Sequence, residues 1–107
     1  MKGLLGKQIL VADTNTTVYQ ANEKIAYADI NINILNPTVN DATISVAITS
    51  TPSTPAAVDF IEQNLVLTGD GSALIRSGEL VSASEYIVVR SSVAGVVVRV
   101  SGKELVN

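Results

Sequence analysis

The side chains that most often carry out chemistry near neutral pH are missing from this sequence. It contains no histidine and no cysteine, which removes the usual proton shuttle, the thiol nucleophile and the zinc-thiolate site. Carboxylates remain. Asp59 and Glu62 come closest to the acidic pair that hydrolyses glycosides, but three positions apart on an extended chain they face opposite sides and read as solvated charges. Gly69-Asp70-Gly71-Ser72 has two glycines of a phosphate-cradling loop but lacks the third glycine, the downstream lysine and the following helix. Asp-Gly instead suits a tight turn at positive φ. Asp13, Asp29, Asp41, Asp59 and Asp70 lie mostly in separate turns. Converging loops at one end of a sandwich leave a cation site open, with no ligand set assigned. Asn15-Thr16-Thr17 matches the short glycosylation triplet, which often arises by chance. No catalytic residue, cofactor site or metal ligand is assigned, and the chain is read as a non-enzyme.

The elements that would position any site repeat with a period of two. From Ala26 to Ile34 the even positions are Ala26, Ala28, Ile30, Ile32 and Ile34, and the odd ones are Tyr27, Asp29, Asn31 and Asn33, the pattern of a half-buried strand. Ala42, Ile44, Val46 and Ile48 repeat it after the turn-forming run Asn36–Asp41, predicting an antiparallel hairpin. Two prolines mark Thr49–Pro55 as a loop. A strand follows over Asp59–Leu67, then a tight turn at Thr68–Gly71, a strand from Ala73 to Ile75, a bend or bulge at Ser77-Gly78 and a turn at Ser82–Glu85. Tyr86–Arg90 and Val96–Val100 flank Ser92–Gly95 and read as a second hairpin rich in β-branched residues. Gln8–Ala12 and Thr16–Gln20 add two short strands around Asp13-Thr14-Asn15. About eight short strands with turns every ~10 residues predict an antiparallel β-sandwich, with a small β-barrel or jelly roll as the alternative. Residues 1–107 form one domain, with 1–8 as a possible N-terminal arm.

Composition narrows the partners. The 107 residues are 47% hydrophobic and 16% charged, with net charge −3, which argues for a packed aliphatic core and against disorder. The seven Lys and Arg are scattered, so nucleic acid is not an expected partner. The apolar runs are too short for a membrane span, and the N-terminal stretch is too broken for a signal peptide.

Three segments together resemble small structural domains of tailed-bacteriophage particles. They are Ala12-Asp13-Thr14-Asn15-Thr16-Thr17-Val18-Tyr19 with the strand that follows to Asn36, Asp59-Phe60-Ile61-Glu62, and Val88 to Gly102. Order and spacing match from about residue 10 to 103. The turn Gln20-Ala21-Asn22-Glu23-Lys24 departs from the family pattern and keeps only its lysine. The resemblance implies a virion component made in the bacterial host cytoplasm and located on the particle surface. The first expectation is a capsid decoration (cement) protein, a homotrimer binding the major capsid protein. The alternative is a tail or fibre component binding a receptor or glycan, for which Tyr19, Tyr27, Tyr86 and Phe60 are the only aromatic platforms. No ligand residues carry over from the family.

Candidate partner contacts come from the residues themselves. Leu4, Leu5, Ile9 and Leu10 either contact the partner or complete an edge strand. Arg90 and Arg99 are expected on the outer face of the last hairpin, either as edge-protecting charges or as salt-bridge partners for a neighbouring subunit.

Overall fold

The period-two segments fold into eight strands in a computed structural model that describes residues 2–106. In chain order they are β1 (Lys2–Ile9), β2 (Thr16–Gln20), β3 (Ile25–Asn36), β4 (Ala42–Thr49), β5 (Phe60–Leu67), β6 (Ser72–Ser82), β7 (Tyr86–Ser91) and β8 (Val97–Val106), with a single 3-10 turn at Ala57–Asp59. In β3, Ala28, Ile30, Ile32, Ile34 and Asn36 are buried, whereas the intervening Asp29, Asn31, Asn33 and Leu35 are exposed. Successive side chains on a pleated strand point to opposite faces, so this alternation places one face in the core and one in water.

The strands form two four-stranded sheets, ordered β1-β8-β3-β6 and β2-β7-β4-β5, here called sheets A and B. All named pairs are antiparallel. The expected β-sandwich is therefore present, and its sheets do not close into a barrel. Strand β1 pairs with β8, β2 with β7, β3 with β6 and β4 with β5. This nested pairing of the first half of the chain with the second is the winding of a jelly roll.

That winding corrects the predicted hairpins. Strands β3 and β4 lie in different sheets, as do β7 and β8, and the turn at Thr68–Gly71 also joins strands of different sheets. Among consecutive strands only β4 and β5 are neighbours in one sheet. Alternation specifies which face of a strand is buried; it does not specify whether the next strand lies beside it or opposite it. Five residues such as Pro37–Asp41 reach far enough to cross the ~10 Å between packed sheets. The positive φ expected at the Asp-Gly turn is present at Asp70 (62°) and Gly71 (98°).

The crossing loops support one another. Asp70 N donates to Thr38 O at 2.7 Å, and Gly71 N donates to Asn36 O at 2.8 Å. The fully buried Asn36 side chain donates to the carbonyls of Asn40 and Leu67 and accepts from the N–H and hydroxyl of Thr38. Every polar atom of that amide is thereby used, which avoids the ~1–3 kcal/mol cost of an unmet buried group.

The core between the sheets is aliphatic apart from Tyr19. Its largest fully buried side chains are Leu10, Ile30, Ile32, Ile34, Ile44 and Ile87, with valines from β4, β6, β7 and β8. At one open side of the sandwich, β1 approaches β2 so closely that a Cβ on Gly6 would collide with the Val18 carbonyl oxygen. At the other, Arg76 of β6 pairs with Glu62 of β5 at 2.5 Å and with Glu79 at 2.9 Å.

Candidate partner-binding face

The two outer faces of the sandwich differ. On sheet B, Ser45, Ala47 and Val88 alternate with core residues and therefore point outward, yet Ala47 is 1% and Val88 3% exposed. The segment 50–59 folds back over this face. Asp59 accepts from Thr49 Oγ1 at 2.8 Å and from Ala56 N at 3.0 Å, anchoring the base of the loop. Asn15, just before β2, donates to the Ser53 carbonyl at 3.4 Å. Because β7 separates β2 from β4, that bond carries the loop across β7.

Sheet A has no such cover among the described residues. The register aligns Ile9 of β1 with Val97 of β8, Val97 with Leu35 of β3, and Leu35 with Ala73 of β6. These four residues make an apolar row across the whole sheet. The next row on the same face is Lys7, Arg99, Asn33 and Ile75. Ile9 is 70% and Ile75 68% exposed, well above what a strand residue shows against a packed neighbour. A shallow groove of about 500 Å³ lies over the β1–β8 side of these rows, lined by Lys7, Gln8, Ile9, Val97 and Arg99.

Lys7 and Arg99 stand directly opposite each other in the ladder. Like charges in that relation are destabilising, and neither residue forms an ion pair among the described residues. Farther along the face, Gly3, Gly78 and Gly102 open a second depression of about 550 Å³, bordered by Asp29, Asn31, Ser101 and Lys103. Gly102 adopts φ +151°, and a Cβ there would strike the Asp29 carbonyl oxygen. β3 and β8 can pair this closely only around a residue without a side chain.

The residues singled out from sequence are dispersed by the fold. Leu4 and Ile9 are exposed on β1, Leu5 is half-buried against the core, and Leu10 is 1% exposed within it. Leu10 is therefore a packing residue, held by its N–H to Val96 O at 2.8 Å. The N-terminal residues do not form an arm: from Lys2 onward they are the edge strand β1, paired along its length with β8, and Met1 lies outside the described residues. Arg90 and Arg99 share no hairpin face, since β7 and β8 belong to opposite sheets. Both strands are internal to their sheets, so these arginines protect no edge. Arg90 lies 4.0 Å from Asp13, whereas Arg99 is on the open face.

Sequence reasoning missed Lys7, Leu35, Val97 and Ile75. The available signal was an apolar residue at an outward, odd position of a strand whose other odd positions are polar, as Leu35 is in β3. Asp59 and Glu62 are engaged in loop capping and in the Arg76 pair, not in a shared site. No group of three or more acidic side chains able to hold a metal ion occurs among the described residues. Of the aromatic residues, Tyr27 is exposed, Tyr86 and Phe60 are half-buried and Tyr19 is buried. The Tyr19 hydroxyl donates to Glu104 at 2.5 Å. Burial, that hydrogen bond and the Glu104 charge all push the Tyr19 phenol well above its ordinary value. Comparison with family models, curated proteins and solved structures finds no match for this chain.

Proposed function

We propose that this chain is a structural protein of a tailed-bacteriophage virion, a capsid decoration protein that stabilises the head by docking on the major capsid protein. The observation that carries the docking role is the asymmetry of the sandwich: the loop at 50–59 covers the middle of sheet B and leaves Val66 exposed at its β5 edge, while sheet A presents a contiguous apolar row beside unpaired cations. Exposed apolar surface of this kind marks interaction sites. The particle is suggested by the resemblance of the Ala12–Tyr19, Asp59–Glu62 and Val88–Gly102 segments to phage structural domains. The molecule extends 43 × 27 × 19 Å, so its broad face can supply the ~800 Å² per partner of an ordinary interface. Symmetric repetition across capsomers, with the chain as a homotrimer, would multiply that contact.

The glycan-binding alternative draws less support, because only Tyr27 offers an exposed ring. The test is mass-spectrometric copy number in purified particles together with electron microscopy. Hundreds of copies on the head support the decoration role. A handful at the tail would replace it with the tail reading, and absence from particles would overturn both.

A further inference from the structure

We infer that the Lys7–Arg99 end of sheet A binds a protein segment that carries carboxylates beside aliphatic side chains. This deepens the docking role proposed above and rests on sheet A being the docking face. It does not depend on where in a particle, or whether in a particle, the chain resides.

Three observations define the partner. First, Lys7 and Arg99 are directly opposed like charges in a chain of net charge −3. Ten carboxylates are present, yet the position next to Arg99 across the β8–β3 ladder is Asn33. A carboxylate there would have neutralised the pair; its place is left to another molecule. Second, the neighbouring row Ile9, Val97, Leu35 and Ala73 is apolar, and Ile9 forms one wall of the groove that Lys7 and Arg99 also line. A ligand filling this groove meets cations and aliphatic surface at once, because the two rows lie two residues apart along β1 and β8, ~6.6 Å. Third, two cations beside an apolar row suit a protein better than a nucleic acid, whose affinity is built from many phosphate contacts. Arg99 adds geometry, since its planar fork can take a carboxylate with two parallel hydrogen bonds.

The test is an amide-resolved NMR titration of the full chain at low salt with three probes: a (Glu-Leu)4 peptide, a (Lys-Leu)4 peptide and an eight-nucleotide oligothymidylate. The expected result is that (Glu-Leu)4 alone shifts amides, confined to residues 7–9, 33–35 and 97–99, and that salt weakens the effect. In the double variant Lys7→Glu, Arg99→Glu, binding of (Glu-Leu)4 falls by about tenfold or more, the loss of two exposed ion pairs, and (Lys-Leu)4 becomes the preferred probe. The amide spectrum reports in the same experiment that the variant is folded. Absence of localised shifts at millimolar peptide would overturn the inference, as would equal response to both peptides. A stronger response to the oligothymidylate would identify a phosphate site instead. Concentration-dependent shifts of the same residues without any probe would identify a second copy of this chain as the occupant.

Discussion

Tyr19 and Glu104 join the two sheets through one hydrogen bond, from β2 in sheet B to β8 in sheet A. The bond exists only while the phenol keeps its proton. The phenol titrates above its ordinary value of 10.0 in the fold and near ~10 in the unfolded chain. Above that pH the unfolded state binds fewer protons than the native one, so stability falls as pH rises. The contribution is fully present below pH ~10 and is lost as pH climbs toward the folded value. Tyr19→Phe should cost about 1.5–3 kcal/mol at pH 7, the worth of a hydrogen bond to a charged acceptor. It should also flatten the alkaline decline relative to the parent chain. Urea denaturation of both proteins between pH 7 and 11 measures the two effects, and parallel pH profiles would contradict the assignment.

At the scale of elements, one tightly constrained contact is the passage of β1 over β2. Gly6 sits where the register of β1 against β8 shifts, between Leu4 and Gly6, and its missing Cβ leaves room for the Val18 carbonyl. Gly6→Ala should force the two strands apart and cost about 1–3 kcal/mol, the usual penalty of overpacking. Hydrogen exchange should then show lost protection confined to β1 and β2. A wild-type unfolding midpoint would show that the corner yields freely. The same geometry rules out a simple deletion test of the N-terminus. Removing residues 1–7 strips an edge strand from sheet A and uncovers β8, so weaker binding by such a variant would report unfolding as readily as a lost contact. Substitution of exposed groups on the face avoids this.

Considered as a whole, the molecule carries the opposed like charges Lys7 and Arg99 beside exposed apolar side chains such as Ile9 and Ile75. If Lys7 and Arg99 are held together for a partner, the isolated fold bears the repulsion. Arg99→Glu should therefore stabilise the free protein by about 0.5 kcal/mol at low ionic strength, an opposite-charge pair replacing a like-charge one. The gain should shrink above ~0.5 M salt, where screening shortens electrostatic reach to a few ångströms. Thermal melts of parent and variant across salt concentrations check this, and a destabilised variant at low salt would show that Arg99 serves the fold.

Much of this protein is determined locally and is legible in the residues. The polar-apolar alternation of β3, the β-branched runs of β7 and β8 and the Asp70-Gly71 turn specify strands, their buried faces and an aliphatic core. These features depend on a side chain's own neighbours along the chain, and a period of two follows from the pleat. Strand partnership was not legible, because the same alternation suits a hairpin and a crossing loop alike. Only burial of Ile30, Ile32 and Ile34 against the opposite sheet decided that β3 and β4 face each other. The open face of sheet A was hidden for the same reason. Lys7, Arg99, Leu35 and Ile75 are far apart in sequence and become one surface through the registers of β1, β8, β3 and β6. Leu10 resembles Ile9 as a residue type, yet the chain leaves sheet A between them, burying one and exposing the other. Composition and period determined that there would be an all-β domain whose strands have wet and dry faces. Tertiary pairing decided which wet face would be left open, because cover by the loop at 50–59 is a contact between distant parts of the chain.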